Sequence, residues 1–293
     1  MIGRYDPALS GPENRMRPVR EGFENLGIAA LENCRRTGTP WAVIDEIGYL
    51  EAGSEAYCQA IRQWMEQKRL AAAVRLQPLP FLEELLGRQD VFSVNLDQPF
   101  GELGCVIMAS GLGKRFGGNK LLAPFRGKPM LAWTLEATEG IFAVRTVVTR
   151  SREIEELCLR QGVPVLFHSL PYRSDTVRLG VEEMEKRNRS GCLFLPGDQP
   201  LLKRETVAAM ALCGVCHPEE IWRATWKEQP GMPALFPNWT FSELKNLPRG
   251  EGGGALIRRY PERVRLFGVW DPWELKDADR PEDLTELERE GGK

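Results

Sequence analysis

Long apolar runs are missing from this chain of 293 residues, and their absence removes two classes of protein at once. No stretch approaches the roughly 20 residues a membrane-spanning helix needs. The start, from Met1 to Arg20, is polar and rich in Pro and Gly, without the apolar core of a secretory signal, so the cytoplasm is the expected location. An excess of one charge is missing too: 39 basic against 41 acidic residues give a formal net charge of -2. Nothing in that total points to nucleic acid or to a membrane surface, although local basic residues can still bind a nucleotide-sized anion. Histidine is scarce, with His168 and His217 alone. The seven cysteines, at 34, 58, 105, 158, 192, 213 and 216, are odd in number and several lie in apolar runs, which argues against a disulfide framework. Cys213-Gly-Val-Cys216-His217 spells the c-type haem attachment pattern. Attachment needs export, and a zinc site would need two further ligands, so we read the spacing as coincidence.

The content is that of a soluble globular protein, 42% hydrophobic and 27% charged, and the length accommodates two domains. Residues 1 to about 20 read as irregular. Arg20–Arg36 has helical spacing, Trp41–Ile44 reads as a buried parallel strand, and Glu55–Lys68 as a helix. Leu70–Leu76 is strand-like, Phe81–Leu86 a short helix and Val91–Leu96 a last strand. Asp97–Gly104 carries the turn formers of a linker. A second alternation follows: strands over Cys105–Ala109, Ala143–Thr149, Val163–Phe167 and Gly191–Leu195, with helices over Met130–Thr138, Ile154–Gln161 and Ser174–Lys186. The expected class is α/β, with a doubly wound, mostly parallel sheet over 101–293 preceded by a smaller α/β segment over 1–100. Ligand sites are expected at the carboxyl ends of the strands.

Two features carry chemistry. Immediately after Cys105–Ala109 comes Ser110-Gly111-Leu-Gly113-Lys-Arg115-Phe-Gly117-Gly118-Asn-Lys120. Its glycines let the backbone approach a triphosphate and aim N–H groups at it. Arg115 and Lys120 supply positive charge for a leaving pyrophosphate. Gly113-Lys114 is followed by Arg115 rather than Ser/Thr, which excludes a P-loop, and Phe116 stands where the dinucleotide fingerprint requires a third glycine. A plain turn is the alternative account of the glycines. The second feature is Pro196-Gly197-Asp198-Gln199-Pro200, which sets a carboxylate at a strand end. Mg²⁺ takes few protein ligands and fills its shell with phosphate oxygens, so Asp198 suits it; the alternative is an Asp capping the following helix.

With these residues in view, the chain from about 104 to 285 resembles the molybdenum-cofactor nucleotidyltransferases, which attach a nucleotide to molybdopterin. The resemblance rests on Gly111–Leu122 with Gly127-Lys-Pro129, then Gly197-Asp-Gln-Pro200, Gly231-Met-Pro-Ala-Leu-Phe236, Gly250-Glu-Gly-Gly-Gly-Ala-Leu-Ile257 and Asp277-Ala-Asp279-Arg-Pro-Glu-Asp-Leu284. It implies a Rossmann variant of the nucleotide-diphospho-sugar-transferase type. It implies nucleotide binding by Ala109, Ser110, Gly111, Gly113 and Lys120, with the base held by backbone near 109–111. Mg²⁺ would be held by Asp198 with help from Asp277 or Asp279, and Arg115, Lys120 and Asp198 would act in catalysis. Guanylyl-transferring relatives usually carry a second glycine where this chain has Ser110, so the resemblance favours CTP as donor. It also implies a molybdenum hydroxylase as client. The chain departs from the pattern in Met108-Ala-Ser-Gly111, in Phe116 and in Arg280. Transfer to another small phosphate, such as a sugar phosphate, and a non-catalytic cofactor-insertion chaperone are the rival readings; a metal-holding Asp198 favours an enzyme.

Trp41-Ala-Val-Ile-Asp45-Glu46-Ile-Gly48 resembles the Walker B strand of a small P-loop nucleoside-triphosphatase, where Asp binds Mg²⁺ and Glu positions water. No Gly-Lys-Ser/Thr occurs before it. Without that loop nothing grips the β- and γ-phosphates, so a remnant or docking module is expected unless a companion chain supplies the loop.

Overall fold

The structure, a computed structural model, describes residues 2–9, 15–111, 113 and 116–290. Two compact units form, Met1–Ser93 and Val94–Lys293.

In the first unit β1 (Gly3–Tyr5) and β2 (Met16–Pro18) pair antiparallel, where the sequence reads as irregular. Helical residues then run without interruption from Arg20 to Arg36 as α1 (Arg20–Gly22), a π-helical turn Phe23–Gly27 and α2 (Ile28–Arg36). β3 (Trp41–Ile47) is followed by α3 (Tyr49–Ala52), α4 (Glu55–Gln67), β4 (Arg69–Val74) and α5 (Pro80–Leu86). β3 and β4 are parallel, as expected, but they make a sheet of only two strands. The expectation of a buried strand at Trp41–Ile44 fails. Ala42 and Ile47 reach the small core with Phe23, Ile61 and Leu82, while Val43 is 80% exposed. The Val91–Leu96 strand is not formed either: Phe92 and Leu96 are exposed, because period-2 patterning yields a strand only where a partner edge exists.

The second unit is built on a seven-stranded sheet of order β13-β11-β12-β10-β5-β8-β9. Its strands are β5 (Leu103–Ala109), β8 (Val144–Thr149), β9 (Val165–Phe167), β10 (Gly191–Pro196), β11 (Ile221–Trp226), β12 (Gln229–Pro237) and β13 (Val264–Gly268), with a minor hairpin of β6 (Pro124–Phe125) and β7 (Lys128–Pro129). Only β12 runs antiparallel to its neighbours in this sheet. β5 lies at the middle of the parallel part and is apolar throughout because both its faces are covered. Cys105, Ile107 and Ala109 join one core with Leu131, Leu135 and Met210, and Val106 joins the other with Val177, Phe194 and Phe236. The helices that cover it are α6 (Met130–Ala137), α7 (Arg152–Arg160), α8 (Arg173–Lys186), α9 (Arg204–Cys216), α10 (Phe241–Lys245), α11 (Gly254–Arg259) and α12 (Pro281–Glu290). Gly180 lets α8 press onto β5, since a Cβ there would stand 2.7 Å from Val106 Cγ1.

Three strands after Leu195 were not anticipated. β12 carries Pro230, Gly231 and Pro233, which on local propensity argue against a strand. The register between β11 and β12 shifts between Arg223, opposite Ala234, and Thr225, opposite Pro230, so Gly231 and Pro233 fall in a bulge where ladder donors are not needed. Among the described residues no helix is long and apolar enough to cross a membrane.

Candidate active site

The carboxyl ends of β5 and β10 lie side by side, and the loops that leave them build the site. After Ala109 the chain passes through Ser110 and Gly111 to a tight turn at Gly113, where φ is +58°. A Cβ at Gly113 would stand 2.1 Å from the Gly118 carbonyl oxygen, so the loop folds back on itself only with glycine there. Phe116 N–H donates to the Gly113 carbonyl at 2.9 Å, and Lys120 opens the short turn Lys120–Leu122. Arg115 lies outside the described residues.

The loop is clamped from behind by side chains the sequence reading passed over. Thr149 Oγ1 donates to the Ala109 carbonyl at 2.9 Å, and Arg150 Nε donates to the Ser110 carbonyl at 2.9 Å. Ser110 Oγ donates to the Val148 carbonyl at 3.0 Å and lies 2.9 Å from His168 Nε2. Leu170 N–H donates to His168 Nδ1, which places the imidazole proton on Nε2, donating to Ser110. His168 is buried; burial first, then the Arg150 charge, hold its pKa below the ordinary 6.5. Both loop carbonyls are thus engaged from the protein side. No local pattern marks His168 or Arg150, whose role comes from the β5-β8-β9 strand order.

On the other side, Gly197 N–H donates to the Met108 carbonyl at 3.0 Å, fixing the turn that presents Asp198. Leu131 and Leu121 press on Gly197, where a Cβ would stand 3.0 Å from Leu131 Cδ1. Ala278 N–H donates to the Asp198 carbonyl at 3.1 Å, which docks the Asp277–Asp279 segment onto that turn. Lys120 Nζ pairs with Asp198 and, at 2.9 Å, with Asp279. Burial alone would lower the Lys120 pKa, but the two carboxylates outweigh it and raise it. Asp277 keeps an open edge to solvent, yet crowding by protein and then the Asp198 charge push its carboxyl up to about 6. Arg280 leaves this arrangement intact: Asp283 accepts from the Asp279 and Arg280 N–H groups at 2.8 and 2.7 Å, work the Arg280 side chain does not touch. Lys120 thus bridges Asp198 and Asp279, and Asp277 lies near enough to feel the charges of Asp198, Lys120 and Asp279, across about 160 residues of chain.

The donor set suits a hard divalent cation, because carboxylate oxygens that repel one another are what Mg²⁺ or Mn²⁺ binds. The buried Gln199 Oε1 nearby has no hydrogen-bond partner within the protein, as befits an acceptor for a metal-bound water. The Cys213-Gly-Val-Cys216-His217 pattern offers no such set. Burial pushes the Cys213 and Cys216 thiols up, disfavouring thiolate, and the ligand atoms that converge there belong to His217, Glu219 and Glu220. In the first unit Asp45 and Glu46 are exposed, and Glu46 pairs with Arg75 at 2.6 Å.

Beside the loop, on the α8 side of the sheet, a cavity of about 260 Å³ opens between Met108, Phe194, Phe236 and the Gly250–Gly254 turn. Arg173 and Arg223 line it.

Comparison with known proteins finds the same fold. A probable molybdenum cofactor guanylyltransferase of Bacillus licheniformis is 25% identical over 195 residues, covering 62% of this chain and 95% of that protein. The crystal structure of Rv0371c from Mycobacterium tuberculosis superposes with a TM-score of 0.58 at 22% identity, over 64% of this chain and 98% of that one. CMP:2-keto-3-deoxy-manno-octonic acid synthetase complexed with CTP shares the fold at a TM-score of 0.53 and 15% identity, over 64% and 98%. The model of the MobA-like NTP transferase domain matches residues 105–264, more than half of the chain. The chain belongs to the MobA-like NTP transferase family, and its second unit is a nucleotidyltransferase.

Proposed function

We propose that the second unit transfers a nucleotidyl group from a nucleoside triphosphate to the terminal phosphate of molybdopterin. The observation that carries this reading is Lys120 held between Asp198 and Asp279 beside a glycine turn at the end of β5. An acceptor phosphate oxygen forms a bond to the α-phosphorus as the α–β bridging bond breaks, and its electron pair leaves with pyrophosphate. Asp198, Asp277 and Asp279 would hold Mg²⁺, which when bound neutralises triphosphate charge. Lys120 adds charge on the leaving side, and the N–H groups near Ser110, Gly111 and Gly113 orient the nucleotide. Positioning and charge carry the rate, with little acid–base chemistry required.

CTP is the proposed donor. The reading rests on Ser110, where guanylyl-transferring relatives usually carry glycine; its Oγ is tied back to Val148 and His168. GTP is the second reading, favoured by the name of the Bacillus licheniformis relative. The test is the melting temperature of the purified chain with each of the four triphosphates and Mg²⁺. The largest rise with CTP supports the first reading, and the largest rise with GTP replaces it while leaving the transferase intact. A molybdenum hydroxylase is the proposed client. Residues 1–100 are proposed as a docking module that precedes, in sequence, a transferase domain over 101–293.

A further inference from the structure

Resting on the reading of Asp198, Asp277 and Asp279 as metal ligands, we infer that the buried Glu274 is a positioning residue. It latches the arm that carries Asp277 and Asp279 to the start of α9, and so sets how tightly the site holds a divalent cation. Glu274 is not itself a ligand. It lies in the short turn Pro272–Leu275, just before the arm, and is 1% exposed. A carboxylate buried so deeply is costly unless hydrogen bonds and charge compensate it.

The compensation comes from far along the chain. Helix α9 opens at Lys203 without a side-chain cap of its own. Glu274 Oε2 supplies one, accepting the Lys203 N–H at 3.2 Å and the Thr206 hydroxyl. The unpaired N–H groups and partial positive charge of a helix start suit a carboxylate. Lys203 Nζ stands 4.0 Å from Glu274 Oε1 and 3.6 Å from Asp271, whose carboxylate caps the turn through the Trp273 N–H. The turn is held from the β10 side as well, where Gln199 Nε2 donates to the Leu275 carbonyl at 3.1 Å. Leu275 lies against Gly231 of β12, where a Cβ would stand 3.1 Å from its Cδ1. Residues 276–279, by contrast, form neither helix nor strand, and the Asp198 charge acts against that of Asp277. An irregular segment that must hold carboxylates close to a like charge needs a fixed base, and the Glu274 turn provides it. Mg²⁺ and Mn²⁺ demand near-ideal ligand placement, so loosening the base weakens the ion's hold without removing a ligand.

The test titrates Mn²⁺ alone into the full chain and counts the free ion by electron paramagnetic resonance. Glu274→Ala and Thr206→Val should each weaken Mn²⁺ binding about tenfold, while Thr206→Ser, which keeps the hydroxyl, should bind as wild type does. Binding of CTP and GTP without metal should be unchanged in all three, because the loop at Gly111 and Gly113 does not use the latch. Melting curves without metal report any loss of stability separately. Thr206→Val is close to isosteric and leaves the carboxylate in place, so it keeps the test open if Glu274→Ala does not fold. Wild-type Mn²⁺ affinity in both disrupting variants overturns the inference, even at a lowered melting temperature, and leaves the metal site standing. Thr206→Ser binding as weakly as Thr206→Val, or triphosphate binding falling in step with Mn²⁺, overturns it as well, since either marks general loosening. A wild-type chain that takes up no Mn²⁺ sinks the metal reading itself, and the inference with it.

Discussion

In β3 the apolar run Trp-Ala-Val-Ile ends at Asp45 and Glu46; in β10 the run Cys-Leu-Phe-Leu ends one turn before Asp198. The local sequences are alike, and the surroundings differ. β3 has one neighbour in a two-stranded sheet, its Val43 stands in solvent, and Glu46 is tied to the surface Arg75. β10 lies inside seven strands, next to a glycine turn that brings Lys120 and beneath a C-terminal segment that brings Asp277 and Asp279. A strand-end carboxylate thus becomes a candidate for chemistry when distant segments deliver the opposite charge and the remaining ligands to it.

The sharpest way to break this comparison is Asp198→Asn. It removes the charge shared by the metal site and Lys120, and pyrophosphate release should fall by about three orders of magnitude, with the melting temperature little changed. Near wild-type release would remove Asp198 from the site. Lys120→Ala should cost about a hundredfold in turnover, measured by the same release, because the leaving pyrophosphate loses one cation. An unaltered turnover would make the lysine a structural bridge between carboxylates.

A smaller effect is expected at the loop clamp. His168→Ala should raise the KM for nucleotide by about tenfold at most, one charge-free hydrogen bond being lost behind Ser110, whereas His168→Gln should restore it. The fold favours neutral His168, so its contribution to stability is whole above pH 6.5 and is lost as pH falls through the depressed folded value. Melting curves at pH 7.5 and 5.5 should therefore show a larger acid loss in wild type than in His168→Gln; equal losses would remove His168 as a source of acid sensitivity. The smallest effect belongs to the first unit. Asp45→Ala should leave phosphate release from ATP and GTP at background, as in wild type, since Asp45 is exposed at the end of a two-stranded sheet and Glu46 is tied to Arg75. Wild-type turnover that vanishes in the variant would make the two regions equals.

What the sequence determined alone was what depends on neighbours along the chain. The helices α4, α6 and α8 follow from apolar spacing, β5 and β10 from continuous apolar runs, and the Gly113 turn from the need for a positive φ. The residues proposed to hold a metal entered through ordered motifs that resemble a family pattern, and only the fold sets Lys120 between Asp198 and Asp279. Tertiary structure alone decided the rest. β12 is a strand despite three prolines because β10 and β11 flank it and a bulge takes up Pro233, whereas Val91–Leu96, with good strand residues, forms none. His168 and Arg150 reach Ser110 only through the β5-β8-β9 order, and Arg223 reaches the cavity only where the bulge turns it. Period and turn chemistry act over a few residues, while partner edges, buried charge and shared cavities are set by residues far apart in sequence.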